Sequence, residues 1–365
     1  ITLCTLISLI ESHKMSKPNS STPWYLAQPE RELINKFNYI EHIEDNHLRE
    51  ATNGTKHSKW SLGVSIAEQN DYRNRYVNIM PYERNRVKLP VIKGNDYING
   101  SYVKIDVEDQ STTEGHYIAT QGPTKYTWQQ FWQMSYHECK SNDIVIVMVT
   151  PLVERGREKC FPYWPQGVDD DMMRIIPKIQ SPGGPSDTSV FKSGLKLEYV
   201  DSNRYDGNYT LTPMNLEPTD EGLGSTKRVH HVYFDQWRDM SKPEEIIPIM
   251  NLSRHSHKLN VTGNPIIVHC SAGVGRSGTF IALDHLLHNT LDFMIHESNE
   301  HNPAMQLLKP VVNYKKDLIE QIVSQLRSQR MKMVQLKDQY VFIYHAARLL
   351  YNLDQNEKLE DIYEE

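Results

Sequence analysis

The stretch PIIVHCSAGVGRSGTF, residues 265–280, constrains the fold of this chain more than any other. Its apolar opening, PIIVHC, reads as a strand. Three glycines follow at Gly273, Gly275 and Gly278, and then helical periodicity takes over in SGTFIALDHLLHNTLDFMIH, 277–296. Any fold that accepts this order must run a strand into a tight turn and straight into a helix, with the thiol of Cys270 at the strand's end.

Two chemistries compete for that turn. Gly273, Gly275 and Gly278 have the G-x-G-x-x-G spacing of a dinucleotide-binding loop, which also needs an acid at the end of the next strand. Glu297 stands at about the right distance but falls in the polar HESNEHNPAM, which carries no strand signal. Fewer than 100 residues follow the turn, and they read as helical. An ATP-type phosphate loop fails because no Gly-Lys-Ser/Thr follows. The other reading uses every residue. Glycines let successive backbone N–H groups turn inward as an anion nest, and the helix near Ser277 adds the positive end of its dipole. With Arg276 beside them, these fields depress the thiol pKa and make Cys270 a nucleophilic thiolate. Arg276 can grip two phosphate oxygens with its planar fork. An isolated cysteine is most often a small buried hydrophobe. Cys139 and Cys160 read that way, but an arginine and three glycines in one turn leave that account without a reason for them.

The rest of the chain supplies the frame. Strand signals stand at 143–150, 195–201, 208–216, 228–234 and 265–270, with a turn-rich loop at 181–189. Helical patterns occupy 127–139, 277–296, 313–329 and 338–353. The order predicts an α+β or highly mixed α/β fold, a twisted mixed β-sheet flanked by helices, rather than alternating βαβ units. Residues 1–29 read as a flexible N-terminal extension, 30–355 as one folded domain and 356–365 as an acidic tail. ITLCTLISLI at the start is too short to span a bilayer and lacks the marks of a secretory signal, and Met15 is the expected natural start.

With 40 basic and 46 acidic residues, the net charge of −6 argues against non-specific nucleic-acid binding while leaving room for a local basic pocket. Four cysteines without a C-x-x-C pair argue against a disulfide framework and for a reducing, intracellular compartment. The sixteen histidines show no H-E-x-x-H spacing, and His230 and His231 read as surface and core neighbours on a strand.

With VHCSAGVGRSGTF at 268–280, the chain resembles the tyrosine-specific protein phosphatases. NRYVNIMPYERNRVKL (74–89), DYINGSYV (96–103), YIATQGP (117–123), KCFPYWP (159–165), FDQWRDMSKPEE (234–245) and RMKMVQLKDQYVFIY (330–344) resemble further family segments in the family's order. The likeness covers roughly residues 30–355 and is nearest in style to single-domain fungal members.

The resemblance implies hydrolysis of phosphotyrosine in proteins, in signalling, through a cysteinyl-phosphate intermediate. Cys270 is then the nucleophile, and Arg276 with the amides of Ser271, Ala272, Gly273, Val274, Gly275 and Arg276 binds the phosphoryl group. His269 orders the loop, and Ser277 stabilises the departing thiolate. Asp239, on a mobile loop, is general acid and then base. Gln335 positions water with Gln339 in support, and Tyr76 lines a deep pocket. Glu154 and Lys159 fall on the segment expected to pack against the acid loop. Arg238 and Asn78 depart from the family's usual proline and aspartate. Proline would restrict the backbone, so altered loop closing is expected at Arg238, while the Asn78 side-chain carbonyl accepts a hydrogen bond from the substrate peptide without charge assistance.

The expectation is therefore an active phosphatase with no cofactor and no metal. Tyrosine-phosphorylated proteins are its partners, signalling kinases among them, with no nucleic acid and no membrane, and it acts as a cytoplasmic monomer. A catalytically silent phosphotyrosine binder, a sulfurtransferase and an arsenate reductase are the alternatives that share a Cys-x5-Arg loop.

Overall fold

The two most apolar runs of the sequence, around 143–148 and 265–269, become neighbouring parallel strands in mid-sheet, as continuous apolar runs buried on both faces do. A computed structural model describes residues 22–53, 58–107, 113–206, 208–237, 246–290, 292–293 and 317–356. Its main sheet has ten strands. They are β1 (Arg86–Lys88), β2 (Tyr97–Ile105), β3 (Gly115–Thr120), β4 (Asp143–Met148), β5 (Met173–Ile176), β6 (Leu195–Tyr199), β7 (Asn203–Tyr205), β8 (Tyr209–Pro218), β9 (Lys227–Phe234) and β10 (Ile266–His269). Their order is β1-β2-β3-β10-β4-β9-β8-β6-β5, with β7 on β8. The centre, β3-β10-β4-β9, is parallel, and the flanks are antiparallel. This is the mixed α+β architecture the sequence predicts.

Helices cover both faces: α1 (Glu30–Thr52), α2 (Trp128–Glu138), α3 (Ile246–Leu259), α4 (Gly275–Asn289), α5 (Leu318–Gln329) and α6 (Lys337–Asn356). Strand alternation sorts the core. Val145, Val147, Ile266 and Val268 face the cluster built with α3 to α6, while Ile144, Ile146, Met148 and Ile267 face α2. Continued past β10, the alternation sends His269 toward α2, where Phe131 lies edge-on to it, and Cys270 into the other cluster.

Three boundaries differ from the sequence reading. Within the predicted N-terminal extension, Trp24–Ala27 is a short 3-10 turn with Tyr25 and Leu26 fully buried, so packing reaches into it. The helix expected over 277–296 stops at Asn289, where Thr290 is extended. The Thr290 hydroxyl bonds the Leu286 carbonyl at 2.5 Å, a competition with the helix that β-branched hydroxyl residues offer. The helix expected over 313–329 begins only at Leu318, with Asp317 extended as its N-cap, while 313–316 and 357–365 lie outside the described residues.

Helix α1 buries Leu33, Phe37, Ile40 and Glu44, one face at helical spacing with a carboxylate at its end. Glu44 meets the guanidinium of Arg327 at 2.7 Å, with side-chain exposures of 1% and 3%, and accepts the Lys332 N–H at 2.7 Å. Arg327 in turn donates to the carbonyls of Met333 at 2.7 Å and Val334 at 2.9 Å. Removing one partner of so buried a pair strands a charge, a loss of about 3–5 kcal/mol. Glu44→Ala is expected to lower unfolding stability by that order in urea titrations. A change near zero would show that the pair does not hold α1 to α5.

Candidate active site

Strand β10 ends on His269, and the turn that follows folds around the sulfur of Cys270, which is only 5% exposed. Gly273 is required there. Its φ is +73°, and a Cβ would fall 2.0 Å from the Thr120 carbonyl oxygen. Its N–H donates to Cys270 Sγ at 3.2 Å. Helix α4 starts at Gly275 with no side chain capping it, so its first N–H groups stay available to an anion.

Burial alone would raise the Cys270 thiol. The Ser277 hydroxyl, the Arg276 charge and the N–H groups of Ser277 and Val274 outweigh it and hold the thiol below the ordinary cysteine value. Ser277 is fully buried, and its hydroxyl makes no other hydrogen bond among the described residues. Cys139 and Cys160 show the contrast. Burial pushes Cys139 up to about 12 and Cys160 higher, as expected of buried hydrophobes.

Arg276 is held beside the loop. One terminal nitrogen donates to Glu154 Oε2 at 2.7 Å and the other to Thr150 Oγ1 at 3.2 Å. That leaves three of the five guanidinium N–H donors for an anion. Glu154 sits in the hairpin of Val153–Glu154 and Arg157–Glu158, so it acts on Arg276 directly.

Behind the loop, His269 Nδ1 lies 3.0 Å from the Cys270 carbonyl and therefore carries the proton. Nε2 then accepts from the Tyr163 hydroxyl at 2.6 Å, and that oxygen accepts from His231 Nε2 at 2.8 Å. Burial lowers His269 to about 4 and His231 well below the usual range, so both are neutral at pH 7. His231 is fully buried and His230 partly exposed, as their alternation predicts.

Sequence reasoning missed Arg330. Fully buried, it donates to the Gly273 carbonyl at 2.9 Å and the Ala272 carbonyl at 3.1 Å, and to Asn99 Oδ1 at 2.8 Å. Holding those carbonyls outward turns the adjoining N–H groups in. Nothing local in the sequence marks this arginine, because its partners are about sixty residues and more away.

The remaining expected residues divide. The Tyr76 hydroxyl meets Ser271 Oγ at 2.7 Å, which puts its ring at the loop's rim. A Cβ on Gly275 would lie 3.0 Å from the Gln339 amide nitrogen and 3.5 Å from Gln335 Cβ, so both glutamines border the loop. Gln339 is buried and accepts the Leu336 N–H at 3.1 Å, while Gln335 is exposed. Lys159 donates its backbone N–H to Leu152. Asn78 is exposed and makes no side-chain hydrogen bond among the described residues. Asp239 and Arg238 lie outside the described residues. Trp237, two positions earlier, is fully buried and edge-on to Phe234. Nearby Asp235 is tied to Arg204 at 3.1 Å.

A family model described as protein-tyrosine phosphatase matches residues 70–348. Tyrosine-protein phosphatase 1 of Saccharomyces cerevisiae is 60% identical over 339 residues, covering 93% of this chain and all of that protein. Tyrosine-protein phosphatase 2 of Schizosaccharomyces pombe is 34% identical, over 87% of this chain and 39% of its own length. Tyrosine-protein phosphatase non-receptor type 20 of Mus musculus is also 34% identical, over 78% of this chain and 55% of that protein. A solved structure described as the structural basis of a PTPN18 fingerprint on distinct HER2 tyrosine phosphorylation sites aligns with TM-score 0.63 and 21% identity. It covers 88% of this chain and 95% of its own, and supports the fold.

The buried neutral histidines set a pH dependence. The unfolded chain takes up protons near the ordinary value of 6.5, whereas folded His269 resists until about 4. Stability is therefore lost as pH falls from about 6.5 toward 4. Urea midpoints measured between pH 7 and 5 are expected to decline, and less steeply in His231→Gln. A flat profile would contradict the neutral assignment.

Proposed function

The chain belongs to the protein-tyrosine phosphatase family, and on that premise we propose that Cys270, Arg276 and Asp239 carry its hydrolysis of phosphotyrosine in proteins. Membership sets aside sulfur transfer and arsenate reduction. One observation carries the assignment: Cys270 Sγ accepts the Gly273 N–H at 3.2 Å, with its thiol lowered despite burial.

The thiolate attacks phosphorus, forming an S–P bond as the bond to the tyrosyl oxygen breaks. Arg276 and the loop amides from Ser271 to Arg276 take up the charge on the equatorial oxygens. Phenolate leaves poorly unless protonated, so Asp239 delivers a proton to that oxygen. Water, oriented by Gln335 with Gln339, then attacks the cysteinyl phosphate while Asp239 accepts its proton. Sulfur departs as thiolate, helped by the Ser277 hydroxyl. His269 holds the Cys270 carbonyl throughout. Tyr76 at the rim makes a pocket deep enough for an aryl phosphate, and Asn78 meets the peptide beyond it.

Tyrosine-phosphorylated signalling proteins, kinases among them, are the substrates this chemistry fits, acted on by a monomer in the cytoplasm. No described helix is long and apolar enough to cross a membrane.

Cys270→Ser is expected to abolish hydrolysis of an aryl phosphate in chelator while leaving circular dichroism and thermal melting unchanged. Retained turnover would refute the nucleophile. Asp239→Ala is expected to slow kcat by about 10²–10⁴ and hold phosphotyrosine peptide bound. Wild-type kinetics would move the acid role elsewhere.

A further inference from the structure

Helices α3 and α4 meet away from the cysteine loop around a carboxylate. Asp284, on the buried face of α4, is fully buried. Two imidazoles face it: His257 Nε2 at 2.8 Å from α3, and His288 Nε2 at 4.0 Å, one turn along α4. The two rings stack with centroids 3.8 Å apart and planes 23° from parallel. The three ligating atoms all lie within 4.8 Å of one another. We infer that His257, Asp284 and His288 form a binding site for a zinc-class divalent cation, separate from the phosphatase chemistry.

Donor chemistry supports this choice. Two imidazoles and one carboxylate suit Zn²⁺, and three protein ligands leave a fourth position for water. An ion about 2.0–2.2 Å from each ligand holds them roughly 3.3–3.6 Å apart in tetrahedral geometry. His257 Nε2 stands 2.8 Å from Oδ2 and His288 Nε2 4.0 Å from Oδ1, so the rings rotate toward one carboxylate oxygen on binding, and His288 Nε2 gives up its 2.9 Å contact with Ser253 Oγ. An outer shell is already built. The Tyr117 hydroxyl donates to Asp284 Oδ2 at 2.6 Å, and the Ser253 hydroxyl donates to Oδ1 at 2.6 Å. Such partners orient a ligating carboxylate. His257 is 31% exposed, which provides the way in. The ion replaces the Nε2 proton of each imidazole, and each ring moves its hydrogen to Nδ1, so no net proton need be released.

The placement has a consequence. Helix α3 follows the segment that holds Asp239, and α4 follows the Cys270 loop, so an ion bound here ties together the helices that leave both. Linear spacing shows only Asp284 and His288, one turn apart on α4, because His257 comes from a different helix.

The test uses untagged full-length Cys270→Ser protein, so that the catalytic thiolate cannot capture metal, after stripping with chelator. Calorimetric titration with Zn²⁺ is expected to show one equivalent bound at micromolar or tighter affinity. Co²⁺ is expected to give the intense visible absorption of a four-coordinate ion, and Zn²⁺ to raise the thermal midpoint. Adding His257→Gln or His288→Gln is expected to weaken binding at least tenfold and remove both signals. Circular dichroism monitors the fold, and the exposure of His257 makes its variant the safer of the two. No zinc uptake by the parent, or equal uptake by parent and folded His257→Gln protein, would overturn the site.

Discussion

A thiol held below its ordinary pKa while almost wholly out of water is the constraint around which this molecule is arranged. Taking a thiolate into the interior is costly unless fixed dipoles and a cation replace its hydration. Here the Gly273 N–H, the start of α4, the Ser277 hydroxyl and Arg276 do so from within a single turn of chain. The same groups fit a phosphoryl dianion, so in the proposed mechanism stabilising the sulfur and binding the substrate are one piece of electrostatics.

Holding those dipoles inward is the work of residues that never touch the sulfur. Arg330 grips the carbonyls on the loop's outer side, and His269 fixes the carbonyl of Cys270 itself through a chain of neutral donors running back to His231. Glu154 keeps Arg276 at the loop's edge. The far segment is equally constrained. Glu44 and Arg327 clamp residues 332–334, where Lys332 and Val334 adopt positive φ of 62° and 57°, and the Val334 N–H bonds the Val274 carbonyl at 3.0 Å. A Cβ on Gly278 would stand 2.5 Å from that same Val334 nitrogen, so Gly278 permits the approach. Gln335 follows directly, which places it against the loop by way of a helix far earlier in the chain.

Much of this was legible in the sequence wherever signals are local. The strand, turn and helix around Cys270 follow from apolar runs and glycines, and β4, β6, β8, β9 and α2 fall where their periodicity puts them. Helix α1 and helix α3 were not singled out, and β2 and β3 entered only as family-like segments. In α1 the apolar face is sparse and ends on Glu44, a residue that makes sense only once Arg327 is opposite it. Contacts such as Glu154 with Arg276, Arg330 with Gly273 and Tyr163 with His269 are set by sheet order. A one-dimensional reading holds no record of that order, so residue type could suggest partners but not choose them.

The account stands on the charge state of one atom. The most direct measurement is the rate of Cys270 alkylation by iodoacetamide across pH, read by mass spectrometry in the folded protein. The account predicts a titration midpoint clearly below the ordinary cysteine range of about 8.5, and a higher one in Ser277→Ala. A sulfur that stays unreactive until alkaline pH, in step with an unperturbed thiol, would contradict it.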